Sequence, residues 1–271
     1  TGSISTSAHI QFHAQVVYQK YILRQLIRFS AEIQELAYND TEDLADILDK
    51  AEDEFTKITA SINTSDGLEI QEAVSETINR FAEIQNNRNK GISTHIRTPL
   101  TSMNEAIIGW QAPDLYILGG RPAMGKTQLA VLFAEKAATN GRVLFFSLEM
   151  SIKQLVTRLI TKQDGVNYSD TKEGTLTQES WRLIDKRRAE IEQLDLKIID
   201  DAYTLAAIKS IARTEKRKRN IDFIVIDYLQ LIQTNMKFGT RDIEVGYITR
   251  NLKMLCKELN TPILLLAQLS R

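Results

Sequence analysis

The sequence predicts an α/β fold, a mostly parallel sheet built around a phosphate-binding loop and preceded by an α-helical hairpin and a linker helix. Three observations lead there. The run Gly119-Gly120-Arg121-Pro122-Ala123-Met124-Gly125-Lys126-Thr127 fits the G-x-x-x-x-G-K-[ST] pattern of a P-loop. From about residue 96, short apolar runs alternate with helical patterns, as parallel strands covered on both faces do. Upstream, apolar residues recur at spacings of three and four, the mark of amphipathic helices.

Taken in order, Ile22, Leu26, Phe29, Ile33 and Leu36 form one helical stripe. Leu44, Ile47, Leu48, Ala51, Phe55 and Ile58 form a second. Between them Asn39-Asp40-Thr41-Glu42-Asp43 supplies a turn, an N-cap and an acidic first turn. Residues 8–60 therefore read as a helical hairpin, and two helices cannot bury both stripes alone. After the polar break Asn63-Thr64-Ser65-Asp66-Gly67, Ile70, Val74, Ile78 and Phe81 outline a short amphipathic helix that ends in the polar run 86–91. Such a helix between linkers needs an apolar groove. A neighbouring subunit is the expected docking place; folding back on its own domain is the alternative. The expected organisation is a hairpin over 1–62, a linker with its docking helix over 63–95, and the α/β core over 96–271.

Within the core, strands are expected at 115–118, 143–146, 196–199, 223–226 and 263–266. Helices are expected at 128–138, 152–161, 178–193, 205–219 and 244–258. Ligands of open parallel sheets bind at the carboxyl ends of the strands, and the chemical candidates fall there. The nucleotide-binding set is Gly120, Arg121, Pro122, Ala123, Met124, Gly125, Lys126, Thr127 and Gln128. Glycines admit phosphate oxygens close to backbone N–H groups at a helix N-terminus. Lys126 would reach the β/γ-phosphates and Thr127 would ligate Mg²⁺. The bland alternative is a Gly-rich turn from strand to helix.

Residues 223–226 lead into Asp227, where a P-loop enzyme places a Mg²⁺-holding aspartate. An Asp at a strand end is also a common cap, and gains its meaning from the P-loop. Residues 143–148 run into Glu149, a carboxylate suited to orient and deprotonate the attacking water or simply to open the next helix. The last strand delivers Gln268, a neutral amide able to sense a γ-phosphate and pass its presence to a loop. The polar segment 233–241, with Lys237 and Arg241, fits a contact loop for a polyanion and equally an ordinary surface loop.

Composition narrows the class. At 43% hydrophobic and 25% charged, the 271 residues suit an ordinary globular protein. No run approaches the length of a membrane span. Thr1–Ala8 has no basic region followed by an apolar core, so no secretory leader is expected there, and the chain is expected to be cytoplasmic. The single Cys256 reads as a small core residue. A net charge of −1 shows no global nucleic-acid footprint. The most basic run, 213–219, suits a solvated helix end.

Together GRPAMGKT, FFSLEMS, FIVIDYLQLI, the helix from Arg241 through Lys253, and LLLAQLSR resemble the DnaB family of hexameric replicative DNA helicases, in block order and spacing. Residues 96–271 carry the likeness closely; residues 8–95 resemble the end of that family's N-terminal helical domain and its linker helix. Ala123 stands where the family often has Ser. The resemblance implies a RecA-like core with ATP held between subunits of a six-membered ring. It implies translocation on single-stranded DNA, duplex unwinding, and primase and a helicase loader as partners. By position it makes Lys126 and Thr127 the phosphate and Mg²⁺ ligands, Asp227 the second metal residue, Glu149 the catalytic base and Gln268 the γ-phosphate sensor. It makes residues 68–85 the linker helix.

In the family, further core with the main DNA-binding loops and an arginine finger follows the Gln268 block. The chain is therefore expected to be an internal fragment or truncated product. It should bind ATP but hydrolyse it slowly, since an arginine finger contributes about 10³–10⁵ in rate. The competing readings are a RecA-like recombinase or regulatory ATPase, and a hydrolysis-dead nucleotide-binding oligomerisation module. The hairpin, DYLQLI and AQLSR speak against the first.

Overall fold

The computed structural model describes residues 6–39, 47, 50, 51, 54, 55, 57, 58, 68–90, 95–162, 165–234, 236 and 238–269. The chain divides into two compact units, Thr1–Ala82 and Glu83–Arg271. In the first, helix α1 (Thr6–Ala37) carries the first stripe. Its Phe29 ring centroid lies 6.2 Å from that of Phe55, a residue of the second helical stretch. Ile22 and Ile58, one from each stripe, are buried. Leu44 and Leu48 fall outside the described residues.

Helix α2 (Ile70–Asn89) runs across the division and has no buried residue among those described. It takes in most of the polar run read as its end. Asn and Arg are tolerated in a helix, and the first strong breaker is Gly91. Ile70, Val74, Ile78 and Phe81 are all exposed along it.

Ahead of the sheet, the second unit holds α3 (Thr101–Ile107), a short helix absent from the sequence expectation. The sheet then follows the predicted alternation: β1 (Leu115–Gly120), α4 (Lys126–Ala138), β2 (Val143–Ser147), α5 (Ile152–Ile160), α6 (Tyr168–Glu173), α7 (Gln178–Ile191), β3 (Leu196–Ile199), α8 (Leu205–Lys218), β4 (Phe223–Asp227), α9 (Arg241–Leu259) and β5 (Ile263–Gln268). Spatial order is β1-β5-β4-β2-β3, and every pairing is parallel. Side-chain alternation divides the strands between two cores. Leu144, Phe146, Ile224, Ile226, Ile263 and Leu265 face α8 and α9. Val143, Phe145, Phe223, Val225, Leu264 and Leu266 face α4 and α5. Ala130, Ala134, Ala137 and Ala138 let α4 lie close to the sheet. Trp110 seals that face, its ring 5.3 Å from both Phe133 and Phe223.

The helices start where their caps dictate. The Ser151 hydroxyl accepts from Gln154 N–H and the Gln154 side chain returns to Ser151 N–H, a capping box for α5. Thr177 and Thr204 cap α7 and α8 through the N–H groups of Ser180 and Ala207. The end of the basic run 213–219 is solvated as expected, with Arg217, Lys218 and Arg219 exposed, and the run is also paired. Arg213 meets Glu258, Lys218 meets Glu215, Arg219 meets Asp195, and Lys216 donates to Ile221 O and Thr261 Oγ1.

Candidate nucleotide site

The P-loop bridges β1 and α4. Gly125 at the N-cap of α4 has φ +78°, a left-handed conformation that a side chain rarely adopts. Ala123 also sits at positive φ, +61°, an uncommon state for a non-glycine residue that recurs at functional loops. A Cβ on Gly120 would press on the Lys126 stem at 3.1 and 3.2 Å. Across that glycine, Lys126 Nζ donates to Gly120 O at 2.9 Å and to Arg121 O at 3.2 Å, folded over the loop it would leave to reach a phosphate. Arg121, Pro122, Ala123 and Met124 are exposed at the loop tip. Gln128 lines a cavity of about 380 Å³ with Arg158, Thr161, Lys162 and Tyr168.

Parallel register brings the other candidates to the same end of the sheet. Gly120 of β1 pairs with Gln268 of β5, and Ser147 of β2 pairs with Asp227 of β4. Glu149 follows β2 in a turn held by two anchors. Ser147 Oγ donates to Met150 O at 2.6 Å, and Asp200 accepts the Ile152 N–H at 2.8 Å. Leu148 N–H donates to Asp227 O at 2.7 Å, which fixes this turn against β4.

Asp227 is the electrostatic centre. It is 1% exposed, and its Oδ2 has no hydrogen-bond partner among the described residues. Burial holds its carboxyl above the ordinary range; the Thr127 hydroxyl pulls it down, Glu149 pushes it up, and Lys126 and Arg158 pull it down. Those influences place Thr127, Lys126, Glu149 and Arg158 around one carboxylate. Tyr228 is likewise pushed up, by burial and then by Glu149 and Asp227. A buried carboxylate oxygen with nothing to bind is costly. Beside a hydroxyl at a P-loop, it is suited to a hard cation that takes oxygen donors. Among the described residues no group of three or more His, Cys, Asp or Glu could hold a metal. Mg²⁺ commonly binds through one or two side chains plus substrate phosphates. The residues present therefore fit Mg²⁺ with a nucleoside triphosphate.

The contact-loop candidates are placed differently. Lys237 lies outside the described residues. Arg241 is the first residue of α9, so the loop ends one residue earlier than expected. The Arg241 guanidinium is engaged by Glu244 at 2.5 Å and by Gln230 O at 2.9 Å. Gln230 and Arg158 were not singled out from the sequence. A lone amide inside the apolar run Leu229-Gln230-Leu231-Ile232 was the available signal for the first.

A five-stranded parallel sheet with this loop and these strand-end residues is a RecA-like P-loop nucleotide-binding core. Residues 95–271 match the DnaB-like helicase C terminal domain, and the chain belongs to that family. It is 33% identical to the replicative DNA helicase DnaC of Bacillus subtilis (strain 168), over all of this chain and 60% of the relative. It is 32% identical to the replicative DNA helicase DnaB of Geobacillus stearothermophilus, over 99% of this chain and 60% of the relative. Among solved structures, a DnaB-like replicative helicase, described with its interactions with primase, superimposes with a TM-score of 0.66 at 28% identity, over 99% of this chain and 62% of its own. A separately solved ATPase domain gives 0.68 at 29% identity, covering 76% of this chain and 73% of that one. The chain thus spans about 60% of the length of these curated relatives. No described helix is long and apolar enough to cross a membrane.

Proposed function

We propose that this chain forms the nucleotide-binding core of an ATP-dependent DNA helicase of replication, one that couples ATP hydrolysis at subunit interfaces to translocation on single-stranded DNA and duplex unwinding. The observation that carries this reading is the grouping of Lys126, Thr127 and Glu149 about Asp227, whose Oδ2 has no hydrogen-bond partner among the described residues, with Gln268 in register beside Gly120.

Loop N–H groups and Lys126 hold the phosphates, and Lys126 exchanges its two loop carbonyls for phosphate oxygens. Thr127 and Asp227 would hold Mg²⁺, which would supply neutralisation of the phosphate charge. Glu149, exposed and close enough to raise the Asp227 pKa, orients a water and takes its proton as the oxygen attacks the γ-phosphorus. The bridging oxygen leaves with ADP. Gln268 contacts the γ-phosphate end. Family membership supports the wider reading: a homohexameric ring, α2 docking on the adjacent subunit, primase and a loader as partners, and the 233–241 segment facing DNA.

The test is ATP hydrolysis with and without single-stranded DNA, with Lys126→Ala as the blank. The reading expects DNA-stimulated turnover that this substitution abolishes. Turnover indifferent to DNA, or none at all, favours the nucleotide-gated assembly module instead.

A further inference from the structure

We propose that Gln230 is a positioning residue that clamps the strand end bearing Gln268 and ties it, through Arg241, to both ends of the 233–240 loop. This rests on Gln268 reading the γ-phosphate, and names the physical path by which that reading would reach a distant contact surface.

Gln230 lies in the single 3₁₀ turn Leu229–Leu231 after β4. Pairing between β4 and β5 ends at Ile226 and Leu265, because the β4 main chain turns away there. Gln230 fills the gap with its side chain. Its Nε2 donates to Gln268 O at 2.7 Å and its Oε1 accepts the Gln268 N–H at 3.0 Å. One amide thus makes both bonds that a neighbouring strand would have made. On its other side Gln268 is in register with Gly120, whose carbonyl accepts the Leu269 N–H at 3.1 Å, so the clamped strand end also touches the P-loop.

The Gln230 carbonyl accepts from Arg241 Nη2 at 2.9 Å, Arg241 Nη1 meets Glu244 at 2.5 Å, and Glu244 Oε1 accepts from Thr234 Oγ1 at 3.0 Å. Arg241 begins α9 and Thr234 lies at the start of the loop, so one network grips the loop at both ends. Gln268 and Arg241 are exposed. Hydrogen bonds open to water contribute little net stability, as a linkage that must reset each cycle requires. A displacement of the Gln268 backbone therefore pulls directly on the loop.

The test is the preference of the 271-residue chain for a fluorescent, slowly hydrolysed ATP analogue (mant-ATPγS) over mant-ADP, with Mg²⁺ present. Gln230→Ala should narrow that preference about tenfold, the scale of one or two lost hydrogen bonds, with ADP affinity and melting temperature unchanged. Gln230→Glu keeps an acceptor for the Gln268 N–H but sets a carboxylate against its carbonyl, and should act in the same direction. If Gln230→Ala fails to fold, the Glu variant decides on the same criteria. A preference retained by Gln230→Ala but lost by Gln268→Ala overturns the clamp and leaves the reading of Gln268 standing. A preference retained by both overturns the two together. Equal weakening of both nucleotides by the Gln230 variants makes the residue ordinary scaffolding and also overturns the proposal.

Discussion

Two buried carboxylates of the α/β unit sit in opposite electrostatic circumstances. Glu215, in the last turn of α8, is 4% exposed and fully partnered. Its Oε1 lies 3.0 Å from both Lys197 and Lys218, and its Oε2 lies 2.7 Å from Arg142. Those lysines hold its pKa down to about 2 against the pull of burial. Asp227, at the carboxyl end of β4, is as buried but carries an unpartnered oxygen and a raised pKa. The first charge is a brace, locking α8 to the starts of β2 and β3. The second is a cost that the proposed Mg²⁺ would relieve. Burial alone does not distinguish architecture from function; the completeness of the partner set does.

The largest way to sharpen this contrast is Lys126→Ala. Losing a charge-assisted grip on phosphate should weaken triphosphate binding by about a hundredfold or more, measured by fluorescence titration, with little change in melting temperature. Next is Asp227→Asn. Because the folded carboxyl is held above its unfolded value, its ionisation opposes the fold at neutral pH, and the penalty fades as pH falls through the raised value. The amide should raise the melting temperature of the nucleotide-free protein by roughly 2–5 °C while removing the Mg²⁺ dependence of nucleotide binding.

Glu215→Gln should do the reverse, lowering the melting temperature by roughly 5 °C and leaving nucleotide affinity intact. Here the folded pKa is depressed, so the stabilisation is present above the unfolded carboxylate value and is lost as pH falls towards about 2. Urea midpoints of wild type and variant should therefore converge as the buffer is taken from neutral pH down towards that value. The smallest effect concerns Cys256, buried with its thiol pushed up to about 11 mainly by burial. It should resist alkylation in the native protein and react fully in denaturant.

What was legible in the sequence was what is local. The P-loop announces itself because its glycines, lysine and threonine are adjacent. The strands read as apolar runs, and strand ends pointed to Asp227, Glu149 and Gln268. The short helices α3 and α6, rich in Ser, Thr, Asn and Asp, escaped because too few turns exist for a period to show. The pairing of the basic run 213–219 was not legible because most of its partners come from elsewhere in the fold: Asp195, Glu258 and Thr261. The bond from Arg241 to Gln230 was not legible because the two lie eleven residues apart across a loop. For Gln230 the sequence offers only a lone amide in an apolar run, since its bonds to Gln268 depend on where β4 stops pairing with β5.

The most direct test of the central claim is mant-ATPγS titration with and without Mg²⁺, on wild type and Asp227→Asn, with the nucleotide-free melting temperature recorded for each. The account predicts Mg²⁺-tightened binding in wild type only, with the variant more stable when empty. Mg²⁺ dependence retained by the variant, or a fall in its empty-state stability, would contradict the assignment of Asp227 as a carboxylate kept for a cation.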